Sequence, residues 1–321
     1  MGNTQIVSGG RIITNFIVMN EIIRIDTITE LLQFMGLDKP THPLIAIVDF
    51  SKINKQSFEQ EVRFSTGFYS VMLKNQCLGQ MKYGRKTYDF QEGTLFFMGP
   101  EQVVSIGENE ESSEETVGWG LFFHPDLIRK SNLIKQMKDY TFFNYEADEA
   151  LHLSDKEKQN LKDCVQKIEV ELSQHIDNHS QTLIISNIEL LLNYCTRYYQ
   201  RQFITRVNHN KDEVVKFEEF LKAYFDSDQA RISGLPSVKF CAEQMNFSPN
   251  YLSDLLKKET GKNTQEHIHY YIIEQAKTQL LITNDSVSEI AYDLGFEYPQ
   301  YFSKIFKNKV GVSPAEFRSA N

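Results

Sequence analysis

The residues best equipped for chemistry in this 321-residue chain lie near its end. Gln300, Ser303, Lys304 and Lys307 recur at a spacing that, at about 100° per residue, gathers one amide, one hydroxyl and two ammonium groups on one side of a helix. Phe302, Ile305 and Phe306 fall on the opposite side. The polar face can donate hydrogen bonds to base edges and to phosphates in a DNA major groove, while the apolar face has a core to join. Upstream, Asn250, Ser253, Asp254 and Lys257 repeat the stripe opposite Leu252, Leu255 and Leu256. On this reading Asn250, Ser253, Asp254, Gln300, Ser303 and Lys304 face bases, and Lys257, Lys258, Lys307 and Lys309 face phosphates. Asp254 departs from the pattern. It stands where the second stripe has Lys304, repels phosphate and can only accept, most naturally from cytosine N4.

Other chemistries find no residues to carry them. Of eight histidines only His42 and His124 flank the strand-like region, and no closely spaced pair lies within it, so a metal-ligand set is absent. His267 and His269 are two apart on a predicted helix and point in different directions, and His175 and His179 bracket the polar pair Asp177-Asn178. The serines of the strand region have no triad context. The four cysteines, Cys77, Cys164, Cys195 and Cys241, lack pair spacing and suit reduced, structural thiols of a cytosolic protein. No enzyme, metal or cofactor is expected.

The stripes need a frame. Residues 287–307, VSEIAYDLGFEYPQYFSKIFK, read as helix, tight turn and helix. Ser286 and Glu289 are spaced for a reciprocal cap, Gly295 can end the first helix in a left-handed conformation, and Pro299 suits the first turn of the second. The upstream copy, VKFCAEQMNF then YLSDLLK, follows the same plan, with Ser248-Pro249 opening its second helix. That is a helix-turn-helix, twice, with each second helix as the recognition helix.

Between the copies stands GKNTQEHIHYYIIEQAKTQLL, and the chain closes with GFEYPQYFSKIFKNKVGVSPAEFR. These stretches resemble the AraC family of transcription regulators over roughly residues 211–318. The resemblance implies a linker helix, here about 265–281, that joins helix-turn-helix units at about 237–260 and 286–309 and holds both recognition helices toward one face of DNA. It also implies promoter DNA, a homodimer, a small-molecule effector and contact with RNA polymerase as partners.

Charge cuts the other way. The net charge is −9, and residues 231–321 carry ten basic and ten acidic side chains, so this span is neutral where a DNA-binding domain is expected to be basic. Local placement answers the objection: Lys257, Lys258, Lys304, Lys307 and Lys309 sit on or after the recognition helices, whereas Glu243, Glu289 and Asp293 sit on supporting ones. Modest non-specific affinity follows.

Upstream the pattern changes. An amphipathic opening to residue 41 reads as an arm or a first strand and helix. Residues 42–123 then hold seven short runs of strand character: PLIAIVDF, GFYSVMLK, CLGQMKYG, KTYDF, TLFFMGP, QVVSIG and VGWGLFF. Polar breaks separate them, including residues 74–76, 91–93 and the acidic stretch 108–115. Such spacing predicts an antiparallel barrel or sandwich, and WGLFFHPDLI after the last run is similar to the cupin-like sensor of AraC relatives. Alternation should turn Tyr69, Tyr83, Tyr88, Phe97 and Trp119 toward an interior that encloses a ligand or is merely filled by them.

Two long helical patterns follow at 154–176 and 181–203. In the second the apolar stripe is wider than one contact needs, so Ile184, Ile188, Leu191 and Tyr198 are expected to face a second copy, with burial against the barrel as the alternative. Residues 206–210 read as a polar linker. No apolar run approaches the ~20 residues of a membrane span, and the start lacks the build of a signal peptide. The expected whole is an α+β two-domain protein of the cytoplasm: residues 1–205 form an antiparallel cupin-like β-barrel with flanking helices, and 211–321 an all-α domain of two helix-turn-helix units. It regulates transcription under control of a ligand in the barrel, or else its first domain serves only dimerisation and protein partners.

Overall fold

The computed structural model describes residues 22–53, 62–74, 81–83, 86–87, 93–106, 117–146, 149–174, 177, 179–205 and 207–320. Cys77, Tyr88, His175, most of the opening arm and the acidic stretch 108–115 lie outside these residues, as does the side chain of Tyr83.

The first strand, β1 (Ile23–Ile25), leads into α1 (Ile28–Phe34), which a Thr27–Glu30 capping box opens. Then come β2 (Ile45–Asp49), β3 (Val62–Thr66), β4 (Tyr69–Lys74), β5 (Met81–Tyr83), β6 (Lys86–Thr87), β7 (Thr94–Met98), β8 (Val103–Ile106) and β9 (Gly118–Phe123). All seven expected runs contain a strand. They pair as two five-stranded sheets, one in the order β1-β3-β8-β5-β6 and the other β10-β7-β4-β9-β2, where β10 is Leu151–His152. The expected closed barrel is therefore replaced, among the described residues, by two sheets with separate edges. Pairing is antiparallel except between β1 and β3, which run parallel.

Alternation along the second sheet assigns its faces. Met72, Phe96, Met98 and Phe122 point toward the first sheet and meet Phe64 and Val104, with Phe68 and α1 completing the layer. Val71, Leu73, Leu95, Phe97, Leu121 and Phe123 point the other way, into a cluster with helices that follow. Tyr69 and Trp119 pack on this same outer face. Of the expected pocket residues, Phe97 is buried against Phe142, Phe143 and Tyr199, and the half-buried Tyr69 packs on Phe123 and Phe143, so both lie on the outer face rather than in the space between the sheets.

That outer face is covered by the segments after β9: α2 (Pro125–Ile128), α3 (Leu133–Gln136), a short turn at Thr141–Asn144, α4 (Asp155–Ser173) and α5 (Ser180–Thr205). Ile184, Ile188, Leu191 and Tyr198 of α5 are all inside, with Ile188 and Leu191 at 0% exposure. These four residues, expected to face a second copy, are buried in the protomer's own core. Leu183 and Leu190 hold the outward line instead, exposed at 48% and 40%.

A further helix, α6 (Val207–Asp226), takes in residues 207–210 of the expected linker. Then follow α7 (Gln229–Ser233), α8 (Val238–Met245), α9 (Pro249–Thr260), α10 (Thr264–Ile282), α11 (Val287–Asp293), α12 (Pro299–Val310) and α13 (Pro314–Ala320). One apolar cluster runs from the outer face of the second sheet through α5 into α12.

Two measurements check this packing. Gly295 has φ +89°, and a Cβ there would stand 2.7 Å from the Ala230 carbonyl oxygen, whereas Gly261, at φ +78°, would meet nothing within 4 Å. Denaturant unfolding should place Gly261→Ala about 1 kcal/mol and Gly295→Ala about 3 kcal/mol below the parent, since only the second adds a backbone clash to left-handed strain. Ile188→Glu should unfold the first domain rather than release a monomer, at a cost of about 4 kcal/mol or more for an unpaired charge in the core.

Candidate nucleic-acid interface

Each helix-turn-helix is built from local signals. Ser237 and Ser286 accept the third amide of α8 and α11, and at Ser286 Glu289 returns the bond to complete the capping box. The turn needs one left-handed residue, supplied by Asn246 (φ 58°) in the first unit and Gly295 in the second. Pro249 and Pro299 then open α9 and α12. Between the units α10 is capped by Asn263 and Glu266 and buries His267, Ile268, Ile272, Ile273, Ala276 and Leu280. These residues lie on more than one side of the helix, which lets α10 pack against α9 as well as α11, α12 and α13.

On α12 the faces separate as the spacing implied. Phe302, Ile305 and Phe306 are buried, Gln300, Lys304, Lys307 and Lys309 are exposed, and Ser303 is half-buried. Lys307 and Lys309, like Lys257 and Lys258 on α9, occupy a last helical turn, where cations also complement the helix dipole.

The first unit differs. Tyr251 and Tyr301 hold matching places in the repeat, yet Tyr301 is 53% exposed and Tyr251 only 5%. Tyr251 packs on Tyr145, Phe203 and Phe247, with ring centroids 5.2–5.3 Å away. Its neighbours follow it into the contact. Asp254 Oδ2 accepts from Thr141 Oγ1 and from the Tyr145 hydroxyl, each at 2.6 Å. Ser248 donates its amide (2.6 Å) and its hydroxyl (2.5 Å) to the carboxylate of Glu149, which is 3% exposed. Ser253 bonds Thr264 at 3.0 Å, and Asn250 is half-buried. The expected base-facing set therefore divides: Gln300 and Lys304 point to solvent, while Asp254 is held by the first domain.

The holding groups are themselves fixed. Tyr199 donates to the Glu149 carbonyl (3.2 Å), the Glu146 amide donates to its carboxylate (2.6 Å), and Gln202 bridges Ala150 and His152. Burial first, and then the Asp254 charge, raises the Tyr145 phenol well above its usual range, so it stays a donor. Thr141, Tyr145 and Glu149 were not foreseen from sequence. The one signal was the acid at Asp254, in a place suited to a base.

Among the described residues no cluster of His, Cys, Asp and Glu can hold a metal, and no helix is long and apolar enough to cross a membrane. His267 meets Thr260 Oγ1 at 2.7 Å, and burial lowers its pKa. Cys164, Cys195 and Cys241 are buried free thiols, Cys241 pushed up to about 12 by burial.

Residues 241–320 match the family described as "Helix-turn-helix domain". The chain is 44% identical over 85 residues to the uncharacterized transcriptional regulatory protein YesN of Bacillus subtilis (strain 168), covering 26% of this chain and 23% of YesN. It is 25% identical over 252 residues to the uncharacterized HTH-type transcriptional regulator YfiF of the same organism, covering 78% of this chain and 77% of YfiF. Of solved structures, it is similar to the C-terminal domain of AraT, a response regulator from Geobacillus stearothermophilus, at 29% identity and TM-score 0.31, covering 34% of this chain and 85% of that one. The chain thus spans about a quarter of the length of YesN. Its C-terminal segment carries a helix-turn-helix domain of the AraC type, shared with proteins named as transcriptional regulators.

Proposed function

We propose that this protein is a sequence-specific DNA-binding transcription regulator of the AraC type, acting in the cytoplasm, with α12 as its principal reading helix. The observation that carries the reading is the exposed face of Gln300, Lys304 and Lys307, set opposite the buried Phe302, Ile305 and Phe306 on a helix braced by α10. Gln300 and Lys304 suit base edges, Lys307 and Lys309 suit phosphates.

The first domain is the regulatory and dimerisation module. Its likeness in sequence to a cupin-like sensor suggests control by a small molecule, but the layer between its sheets is filled by Phe68, Met72, Phe96, Met98 and Phe122. That filling favours the second reading, in which the domain answers to a second copy or another protein, RNA polymerase included. Leu183 and Leu190, seven apart on α5 and exposed, are the residues of that helix suited to a copy of itself.

A duplex recovered by the full chain from a random pool tests the DNA reading. Lys304→Ala should weaken binding to that duplex by about 1–3 kcal/mol and spare scrambled DNA, whereas Lys307→Ala should weaken both and lower the salt dependence by about one ion. Equal losses on both duplexes for Lys304→Ala would reduce it to a phosphate contact. In sedimentation the pair Leu183→Glu and Leu190→Glu should give a monomer with an unchanged melting curve. A dimer that persists would remove α5 from the interface.

A further inference from the structure

Three features of the first domain converge on α9. The Glu149 carboxylate takes two hydrogen bonds from Ser248 at the start of the helix, Thr141 and Tyr145 both donate to Asp254 one turn and a half further on, and Tyr145 and Phe203 bury Tyr251 between them. A recognition helix enters the major groove along this polar side, and a groove about 12 Å wide has room for a helix about 10–12 Å across and nothing beside it. Thr141, Tyr145 and Glu149 stand on the side of α9 that DNA would need. The amide and hydroxyl at a helix start are also the groups that bind backbone phosphate, and here they already bind an anion.

We propose that the first domain clasps the first recognition helix, with Glu149 standing in the place of a DNA phosphate and Thr141 and Tyr145 in the place of a base edge. Docking and groove entry by α9 then exclude each other. The free protein presents α12 alone, and full engagement of a two-part site requires the clasp to open. Apparent affinity is lowered by the fraction of molecules that are open, so loosening the clasp strengthens DNA binding. This inference rests on the DNA-binding reading, and it places the regulatory contact at the domain junction rather than between the sheets.

The test uses the full chain and the duplex recovered from the random pool. Tyr145→Phe removes the hydroxyl from Asp254 but keeps the ring, and Glu149→Gln removes the charge but keeps the shape. Each should bind that duplex about tenfold more tightly than the parent, as expected when charge-assisted bonds that favour the closed form are weakened. Affinities equal to or below the parent's in both variants, with melting unchanged, would overturn the clasp. Hydrogen exchange of the unaltered protein decides the matter should either variant fold poorly. Adding the duplex should raise exchange across 141–149 while lowering it across 248–258. Protection of α12 with no change at 141–149 would overturn the proposal and leave DNA binding intact, whereas failure of every protein to bind any duplex would overturn both.

Discussion

A sheet that is apolar on both faces must be covered on both. The second sheet turns Met72, Phe96 and Phe122 inward and Val71, Phe97, Leu121 and Phe123 outward, and α5 supplies the outer cover. At about 1.5 Å per residue its 26 residues run roughly 39 Å, well beyond the length of a five-residue strand. Its last turns lie along the β10 edge of the sheet, where Tyr199, Gln202 and Phe203 meet Glu149, Ala150 and Tyr251. Covering the sheet is what brings the C-terminal helical segment to the side of the first domain. The rest of the arrangement depends on it.

The two helix-turn-helix copies show how context divides equivalent residues. Serine caps, a left-handed turn residue and a proline start recur in both, so the backbone plan is local. Tyr251 and Tyr301 nonetheless end in opposite environments, because α9 lies against Tyr145 and Phe203 and α12 does not. The Glu149 carboxylate is buried with its oxygens met by Ser248 and the Glu146 amide, which offsets the cost of removing it from water. Such a pairing favours one seating of α9 over neighbouring ones, which purely apolar contacts would distinguish less sharply.

Much of this was legible in the sequence. Seven strands, the capping box at Ser286 and Glu289, the turn at Gly295 and the polar side of α12 all follow from short-range rules. What sequence could not give has three physical sources. A period of two says that Tyr69, Phe97 and Trp119 share an orientation with their strand neighbours, but not which side of the sheet is inside. Polar composition in residues 207–210 does not separate a helical turn from a linker. And β10 has two residues, too few for any pattern, though Gln202 holds its edge from fifty positions away. The contact between Tyr145 and Asp254 belongs to the same class, spanning 109 positions. Only the misplaced sign of charge at Asp254 hinted at it.

The double hydrogen bond on Asp254 has an evolutionary corollary. On the proposed reading, one carboxylate answers both to a base pair and to the hydroxyls of Thr141 and Tyr145, so target preference and the clasp would be inherited together at that codon. A lineage that exchanges Asp254 to recognise a new operator also releases its own brake, and becomes constitutive until residues 141–145 change to match. Under the same proposal, drift in promoter sequence is easier to follow with α12, where the exposed Gln300 and Lys304 lie outside the clasp, and the second half of a bipartite operator should diverge faster than the first.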